Sequence, residues 1–367
     1  MNQKNIMHIF SSMEFGGAEI RTIEIMDQLN DSFDNIYFFT TSGTEGVLAN
    51  SLKEKGYKII PCNIYSFRFP FFFVKQLKEH KINIVHSHIS IVSGYIVFLA
   101  FLANVKRRIV HFRSSKVGKK SSFFQFLKTT FLKMFILLFS TDILAVNKHT
   151  MKSHFANYNK IKKCEIIYNG LRTLYCENNE TINLLKNQLS IKNDEKVIIH
   201  IGRFHEAKNH YKILNVFLEY LKLLPNSKLL LIGNYHSQIG KEIIEVIKKQ
   251  KLDSNVLLLG VQSDIKRYLS ISDALLFPSL WEGLPGVVLE SLAAGVPVLC
   301  SDIGCNREIA ETNKGIILMD LEKSDHQWAT KLYDISKNGK QKIISMEFEK
   351  SPYEINKVLK HFKSFYN

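Results

Sequence analysis

Short apolar runs rich in branched and aromatic residues recur along the chain, separated by longer stretches of helical spacing. In the first half NIMHIF, NIYFFT, YKIIPC, INIVHSH, RRIVHFR, DILAVN and CEIIYN read as strands. AEIRTIEIMDQL and FFFVKQLKEH, which lie between them, carry the helical period. The second half repeats the alternation with KVIIHIG, KLLLIG, NVLLLG, ALLFPS and VPVLCS. Apolar runs of this kind suit strands covered on both faces, hence parallel sheets with right-handed crossovers. The expected fold class is α/β, with two Rossmann-like doubly wound parallel-sheet domains facing each other across a cleft.

The length of 367 residues gives each domain room for its own core. Residues 1–174 are assigned to the first domain and 196–347 to the second. The polar stretch 175–195 reads as the linker, and 348–367 as one helical pattern. Ligands of such sheets sit beyond the carboxyl ends of the strands.

SLWEGLPGVVLESLAAGVPVLCSD, from Ser279 to Asp302, holds the most chemistry. Pro285 and Gly286 break the chain before a helix that runs to Gly295. Glu282 precedes that helix and Glu290 lies within its first turns. Free N–H groups at a helix start favour phosphate. Carboxylates beside them accept hydrogen bonds from a diol. The ligand is then part phosphate and part sugar; a capped helix with surface acids is the alternative. Gly16 and Gly17 open another helix after the first strand, where backbone approaches a ligand closely or simply turns. Arg203 and Lys208, on the loop after KVIIHIG, suit a diphosphate, with forked bonds from arginine and a point charge from lysine.

These segments resemble glycosyltransferase family 4, whose Glu-x7-Glu signature Glu282 and Glu290 reproduce. SMEFGGAEI, IYNGL, IGRFHEAKN, LLIGNY and LLGVQSDIKRYLSISDALLFPS fall in the family's order over nearly the full length. The resemblance implies the GT-B fold, with the C-terminal helix crossing back to the first, acceptor-binding domain. It implies that the second domain binds a nucleoside-diphosphate sugar, which serves as co-substrate with no further cofactor. Arg203 and Lys208 would hold the pyrophosphate. Glu290 would take the ribose, Glu282 the transferred sugar, and Gly286 and Val287 would offer backbone N–H groups. Gly233, Asn234 and Val261 fall where relatives hold the base, and Gly16 and Gly17 near donor phosphate and acceptor. Many relatives carry a histidine where Arg113 stands; arginine cannot act as a base, so a phosphate contact is its alternative role. His88 and His111, ending INIVHSH and preceding Arg113, are candidate acceptor contacts or structural strand-end histidines.

No Asp-x-Asp pair occurs, so no metal is expected to bridge the diphosphate. Five scattered cysteines indicate neither a disulfide frame nor a zinc site. The N-terminus has no apolar run of signal-peptide length, so a cytoplasmic location is expected. The net charge of +15 is concentrated in the first half. Between His80 and Thr141 there is no acidic residue, while Lys106–Arg108, Lys116, Lys119, Lys120, Lys128 and Lys133 are basic. An anionic partner is implied. SSFFQFLKTTFLKMFILLF, from Ser121, reads as a core helix or as an interfacial helix on anionic lipid.

The functional expectation is a retaining, metal-independent glycosyltransferase (hexosyl- or N-acetylhexosaminyl-). It would pass a sugar, from UDP by preference, to a surface glycan or a polyprenyl-diphosphate-linked acceptor. It would work peripherally at the inner face of the plasma membrane. A nucleotide-sugar epimerase of the same fold is the enzyme alternative. A nucleic-acid-binding protein fits the charge but lacks any recognised motif, so nucleic acid is not expected as a partner.

Overall fold

The computed structural model describes residues 4–115, 122–175 and 178–367. Lys116, Lys119 and Lys120 of the basic stretch lie outside them. The chain divides into two compact units, one up to Gly170 together with Asn356–Asn367, the other Leu171–Ile355.

The first unit holds β1 (Asn5–Phe10), β2 (Asn35–Thr40), β3 (Lys58–Pro61), β4 (Ile84–Ser87), β5 (Arg107–Phe112), β6 (Asp142–Ala145) and β7 (Cys164–Ile166). They form one sheet in the order β3-β2-β1-β4-β5-β6-β7. Every neighbouring pair is parallel. The order reverses direction between β1 and β4, so the loops after these strands part and leave room for side chains. Helices α1 (Gly17–Gln28), α2 (Ala49–Glu54), α3 (Phe69–Glu79), α4 (Ser93–Leu102) and α5 (Phe123–Phe139) belong to this unit. Ile6, Phe10, Phe38 and Ile84 are buried on one side of the sheet, and Met7, Ile9, Phe39 and Val85 on the other.

The second unit holds β8 (Lys196–Ile201), β9 (Ser227–Ile232), β10 (Val256–Gly260), β11 (Ala274–Phe277), β12 (Val298–Ser301) and β13 (Ile316–Met319), again parallel, in the order β10-β9-β8-β11-β12-β13. Strand β13 was not among the expected runs. Its four apolar residues follow Gly315, whose positive φ of 81° turns the chain into the sheet edge.

Two stretches differ from the sequence reading. The polar segment after residue 175 contains a helix, Asn179–Gln188, because the Asn178 side chain accepts from the N–H groups of Glu180 and Thr181. The single helical pattern expected over 348–367 is two helices, Lys342–Lys350 and Ile355–Tyr366. The second buries Val358, Phe362, Phe365 and Tyr366 in the core of the first unit.

Helix α5 is not a core helix: of its 17 residues only Ile136 is fully buried. It packs on α4 at Gly94, where an added Cβ would come 2.3 Å from the Leu132 carbonyl oxygen. Phe98 of α4 meets Phe135 and Phe139. Phe124, Leu127, Phe131, Met134 and Leu138 remain exposed at alternating spacings of three and four, one stripe along the helix. Among the described residues no helix is long and apolar enough to cross a membrane.

Candidate functional site

In the second unit, β8, β9 and β10 run out into glycines. Gly233 has a φ of +151°, and a Cβ there would stand 2.0 Å from the Gly202 carbonyl oxygen. The Gly202 N–H donates to Ile232 O at 2.8 Å, and the Gly233 N–H to Gly260 O at 2.8 Å. Asn234 accepts on its side chain from the His236 N–H at 2.9 Å, an Asx turn, and on its carbonyl from the Phe204 N–H at 3.1 Å. Val261, just past β10, is exposed.

The loop after β8 is tied to the loop after β11. The Leu280 N–H donates to Ala207 O at 2.8 Å and the Asn209 amide to Pro278 O at 3.2 Å. This brings Lys208 across Gly202, with its ammonium 4.7 Å from the Phe277 ring centroid and 2.5 Å from Glu282 Oε1. Both partners are mostly buried, at 19% and 14% side-chain exposure, so water screens the pair weakly. Arg203 stands exposed at the loop's start and forms no ion pair among the described residues.

Pro285 is the N-cap of the helix Gly286–Ala293, and Gly295 follows its end at φ +79°. Gly286 and Val287 are its first residues, where N–H groups have no partner within the helix. An added Cβ on Gly286 would meet nothing within 4 Å, so open space lies over the helix start. Glu290, partly exposed, follows one turn later. The structure thus assembles Lys208 with Glu282, and Gly286, Val287 and Glu290 on one short helix. Gly233, Asn234 and Val261 lie at the ends of the neighbouring strands.

In the first unit, Gly16 is the extended N-cap of α1, where a Cβ would come 2.2 Å from Glu19 Oε2, and Gly17 is its first residue, with open space where a Cβ would stand. Arg113, just past β5, reaches this helix. Its Nη2 donates to Ala18 O at 3.0 Å and Thr22 Oγ1 at 3.1 Å. Its Nη1 lies 3.4 Å from the ring nitrogens of His111. Burial lowers its pKa to about 10, against the opposing charge of Glu19.

His111 belongs to a buried chain. His86 Nε2 lies 3.1 Å from His111 Nδ1, and His86 Nδ1 lies 2.7 Å from the Tyr366 hydroxyl. His8 Nδ1 and His88 Nε2 are 3.1 Å apart, and His88 stacks on Phe10. Burial, then the charge of Arg113, pushes His8 down to about 3. Burial first, then neighbouring positive groups, holds His86, His88 and His111 well below the usual histidine range. All four rings are therefore neutral at pH 7. They line a cavity of about 10 Å³, with Arg113 and Tyr366, about the room of one water.

Three ring nitrogens, one each from His8, His86 and His88, lie within 4.8 Å of one another. The set contains no carboxylate or thiolate, and a guanidinium stands beside it, which disfavours a divalent cation. Both nitrogens of His86 are engaged by Tyr366 and His111.

Sequence reasoning placed His88, His111 and Arg113 but missed His8, Tyr366 and the role of His86 between them. His86 and His88 share a face by the two-residue period, a signal the sequence carries. That His8 stands in register beside His86 depends on which strands are neighbours. It also missed that Lys208 pairs with Glu282.

The family model described as "Glycosyl transferases group 1" matches residues 181–346, and "Glycosyltransferase Family 4" matches 15–173. The chain is 35% identical to the capsular polysaccharide biosynthesis glycosyltransferase CapH of Staphylococcus aureus, over 98% of each chain. It is 28% identical to a Campylobacter jejuni enzyme, N-acetylgalactosamine-N,N'-diacetylbacillosaminyl-diphospho-undecaprenol 4-alpha-N-acetylgalactosaminyltransferase, over 57% of this chain and 55% of that one. The fold is similar to that of Anabaena HepE, solved with UDP and glucose, at a TM-score of 0.80 and 17% identity over 98% of each chain.

Proposed function

The chain belongs to glycosyltransferase family 4, and from that premise we propose that it moves a sugar from a UDP-sugar to a lipid-linked glycan with retained configuration. It is a glycosyltransferase of GT-B type acting in polysaccharide biosynthesis. The observation that carries the finer reading is the Lys208–Glu282 pair beside the open start of the Gly286 helix. A cation, a carboxylate and free N–H groups together match a molecule that is part diphosphate and part sugar.

In this reading Arg203 and Lys208 take the diphosphate, with the N–H groups of Gly286 and Val287. Glu290 accepts from the ribose and Glu282 from the transferred sugar. Gly233, Asn234 and Val261 border the base. Charge that grows on the leaving diphosphate is met by Arg203 and Lys208, and that diphosphate accepts the acceptor's proton. Two side-chain cations and the lack of an Asp-x-Asp pair in the sequence favour a metal-independent reaction. The UDP and glucose bound by HepE favour uridine and a hexosyl or N-acetylhexosaminyl donor. In the first unit, Gly16, Gly17 and Arg113 face the acceptor or a phosphate, while His88 and His111, expected as acceptor contacts, are buried and act through Arg113.

The name of the Campylobacter relative, with its diphospho-undecaprenol acceptor, supports a lipid-linked substrate. The exposed apolar stripe of α5, in an acid-free stretch, supports attachment to the anionic cytoplasmic face of the membrane. The epimerase alternative gains nothing from relatives named as transferases.

A thermal-shift series with UDP, GDP and their sugars, with and without chelator, tests the reading. UDP should raise the melting temperature by mass action, unchanged by chelator. Product analysis by NMR should give the donor's anomeric configuration. Inversion, or loss of UDP binding on chelation, would overturn it.

A further inference from the structure

We propose that the groove between α3 and α4 binds the isoprenoid chain of the lipid-linked diphosphate acceptor. The inference rests on the lipid-linked acceptor argued above and assigns its hydrocarbon part a place. The open groove offers about 500 Å³, within the range of roughly 300–1,000 Å³ typical of ligand sites. Pro70, Phe71 and Val74 of α3 form one wall, and Leu99 and Leu102 of α4 the other. Pro70 to Glu79 spans about 14 Å of helix, so the site is elongated.

Three observations point to hydrocarbon as the occupant. First, both walls are helices whose main-chain groups bond within themselves. An extended peptide laid between them would leave its amides unpaired, whereas a hydrocarbon has none to pair. Second, Phe71 in the groove wall is 79% exposed, and Tyr65 and Phe67, on the turn that leads into α3, are 91% and 81% exposed. Exposed apolar surface on this scale marks an interaction site. Third, the groove is continuous with the α5 face, because α4 serves both. Leu99 and Leu102 line the groove, while Phe98 and Phe101 pack against Phe139. A chain leaving a membrane that covers α5 would reach the groove along α4, past Phe101, over whose ring Arg108 stands.

The charges agree. Lys75 and Lys78 border the groove; Lys75 pairs with Glu79 at 3.5 Å, and Lys78 has no ion pair among the described residues. Beyond Glu79 the chain carries no acidic residue until Asp142. An anionic lipid surface is therefore attracted around the groove. The reacting end of the acceptor has a place too. Helix α4 begins shortly after His88, and Leu99 and Leu102 lie about 9 and 14 Å further along it. A chain laid along the groove with its diphosphate at the start of α4 would bring that end towards His88.

The test uses the full chain with excess UDP to fill the donor site and a benzophenone-bearing farnesyl diphosphate as the photolabel. Labelled peptides should fall within residues 65–79 and 93–102, and inorganic pyrophosphate should not compete. Phe71→Glu and Leu102→Glu, at exposed positions that leave folding intact, should each weaken farnesyl diphosphate binding about tenfold or more by calorimetry. Leu138→Glu on α5 should reduce binding to anionic vesicles and leave farnesyl diphosphate binding unchanged. Labelling elsewhere, parental affinity in both groove variants, or equal labelling by an acyl-chain phosphatidylglycerol probe would overturn the proposal. Failure of the transferase reading is separable: sugar transfer would then be missing with every acceptor, while the label stayed in the groove.

Discussion

Lys208 and Glu282 meet at 2.5 Å although they come from loops after different strands of the second sheet, β8 and β11. The family resemblance implied a separate task for each group, the lysine at the diphosphate and the glutamate at the sugar. Their contact makes them one unit. Glu282 holds the ammonium over Phe277, and each of these mostly buried groups is the other's ion-pair partner, so removing either leaves a charge without one.

Replacing either partner should therefore damage the other. Lys208→Met and Glu282→Gln should each lower kcat/KM by roughly 100-fold or more, the effect typical of lost charge stabilisation. The double variant should fall short of the product of the two, with a coupling of about 1 kcal/mol or more. Steady-state kinetics of the four proteins decide it, and full additivity would show two independent residues. Glu290→Ala should instead raise the donor Kd, since ribose contacts persist from bound donor to transition state.

Two glycines separate binding from folding. Gly286→Ala adds a methyl in open space, so the melting temperature should hold while donor KM rises about tenfold, as the methyl blocks approach to the helix start. Gly233→Ala meets the Gly202 carbonyl and a strained φ, so it should destabilise the protein before any assay. Calorimetry and donor titration on both variants check this. A donor KM unchanged in Gly286→Ala would remove the phosphate role of that helix start.

Why some of this was legible and some not follows from the range of each signal. Apolar runs gave seven strands of the first sheet and five of the second. In central strands such as β1, β4, β11 and β12 burial on both faces leaves this local mark. The half-covered edge strands β3, β7 and β10 keep enough branched apolar residues to show it. Strand β13, at the sheet edge, left only four apolar residues after a glycine. Loop residues Arg203, Lys208, Glu282 and Glu290 were visible as types in a pattern. The pairing of Lys208 with Glu282 was not, because it depends on β8 and β11 being neighbours across 74 positions. The same holds for Tyr366 and His86, 280 positions apart. The exposure of α5 was undecidable from its composition, since an apolar helix reads alike whether it faces a core or a bilayer.

Acid should destabilise the protein through its buried histidines. His8, His86, His88 and His111 in the first unit and His200 and His210 in the second all have lowered pKa values, mainly through burial. Unfolded histidine titrates near 6.5, so the unfolded chain takes up protons first as the pH falls. Stability is therefore intact above about pH 6.5. It is lost progressively below, down to the folded values of about 3 for His8 and about 4 for His210, by up to about 1.4 kcal/mol per pH unit for each group. Calorimetry between pH 7.5 and 5 should show a falling melting temperature and proton uptake on unfolding. A flat profile would mean these rings are already charged or reached by water.

The hydroxyl of Tyr366 closes a hydrogen-bonded chain through His86 and His111 to Arg113, at 2.7, 3.1 and 3.4 Å. Burial raises the phenol's pKa, so it stays protonated and always offers His86 both a donor and an acceptor. Arg113 can only donate, so its bond to His111 sets the direction of the chain: His86 donates from Nε2 and accepts the Tyr366 hydroxyl at Nδ1, a tautomer that the Tyr366 bond completes. Tyr366→Phe keeps the ring that packs on Phe33 and Phe362 and removes only this bond. It leaves one buried nitrogen of His86 unpaired, a cost of about 1–3 kcal/mol. A purely structural role would stop at that loss of stability. A positioning role goes further: nitrogen-15 NMR should show altered tautomers at His86 and His111, and kcat should fall several-fold with donor KM unchanged. Unaltered tautomers with parental kcat would reduce Tyr366 to an anchor for the C-terminal helix.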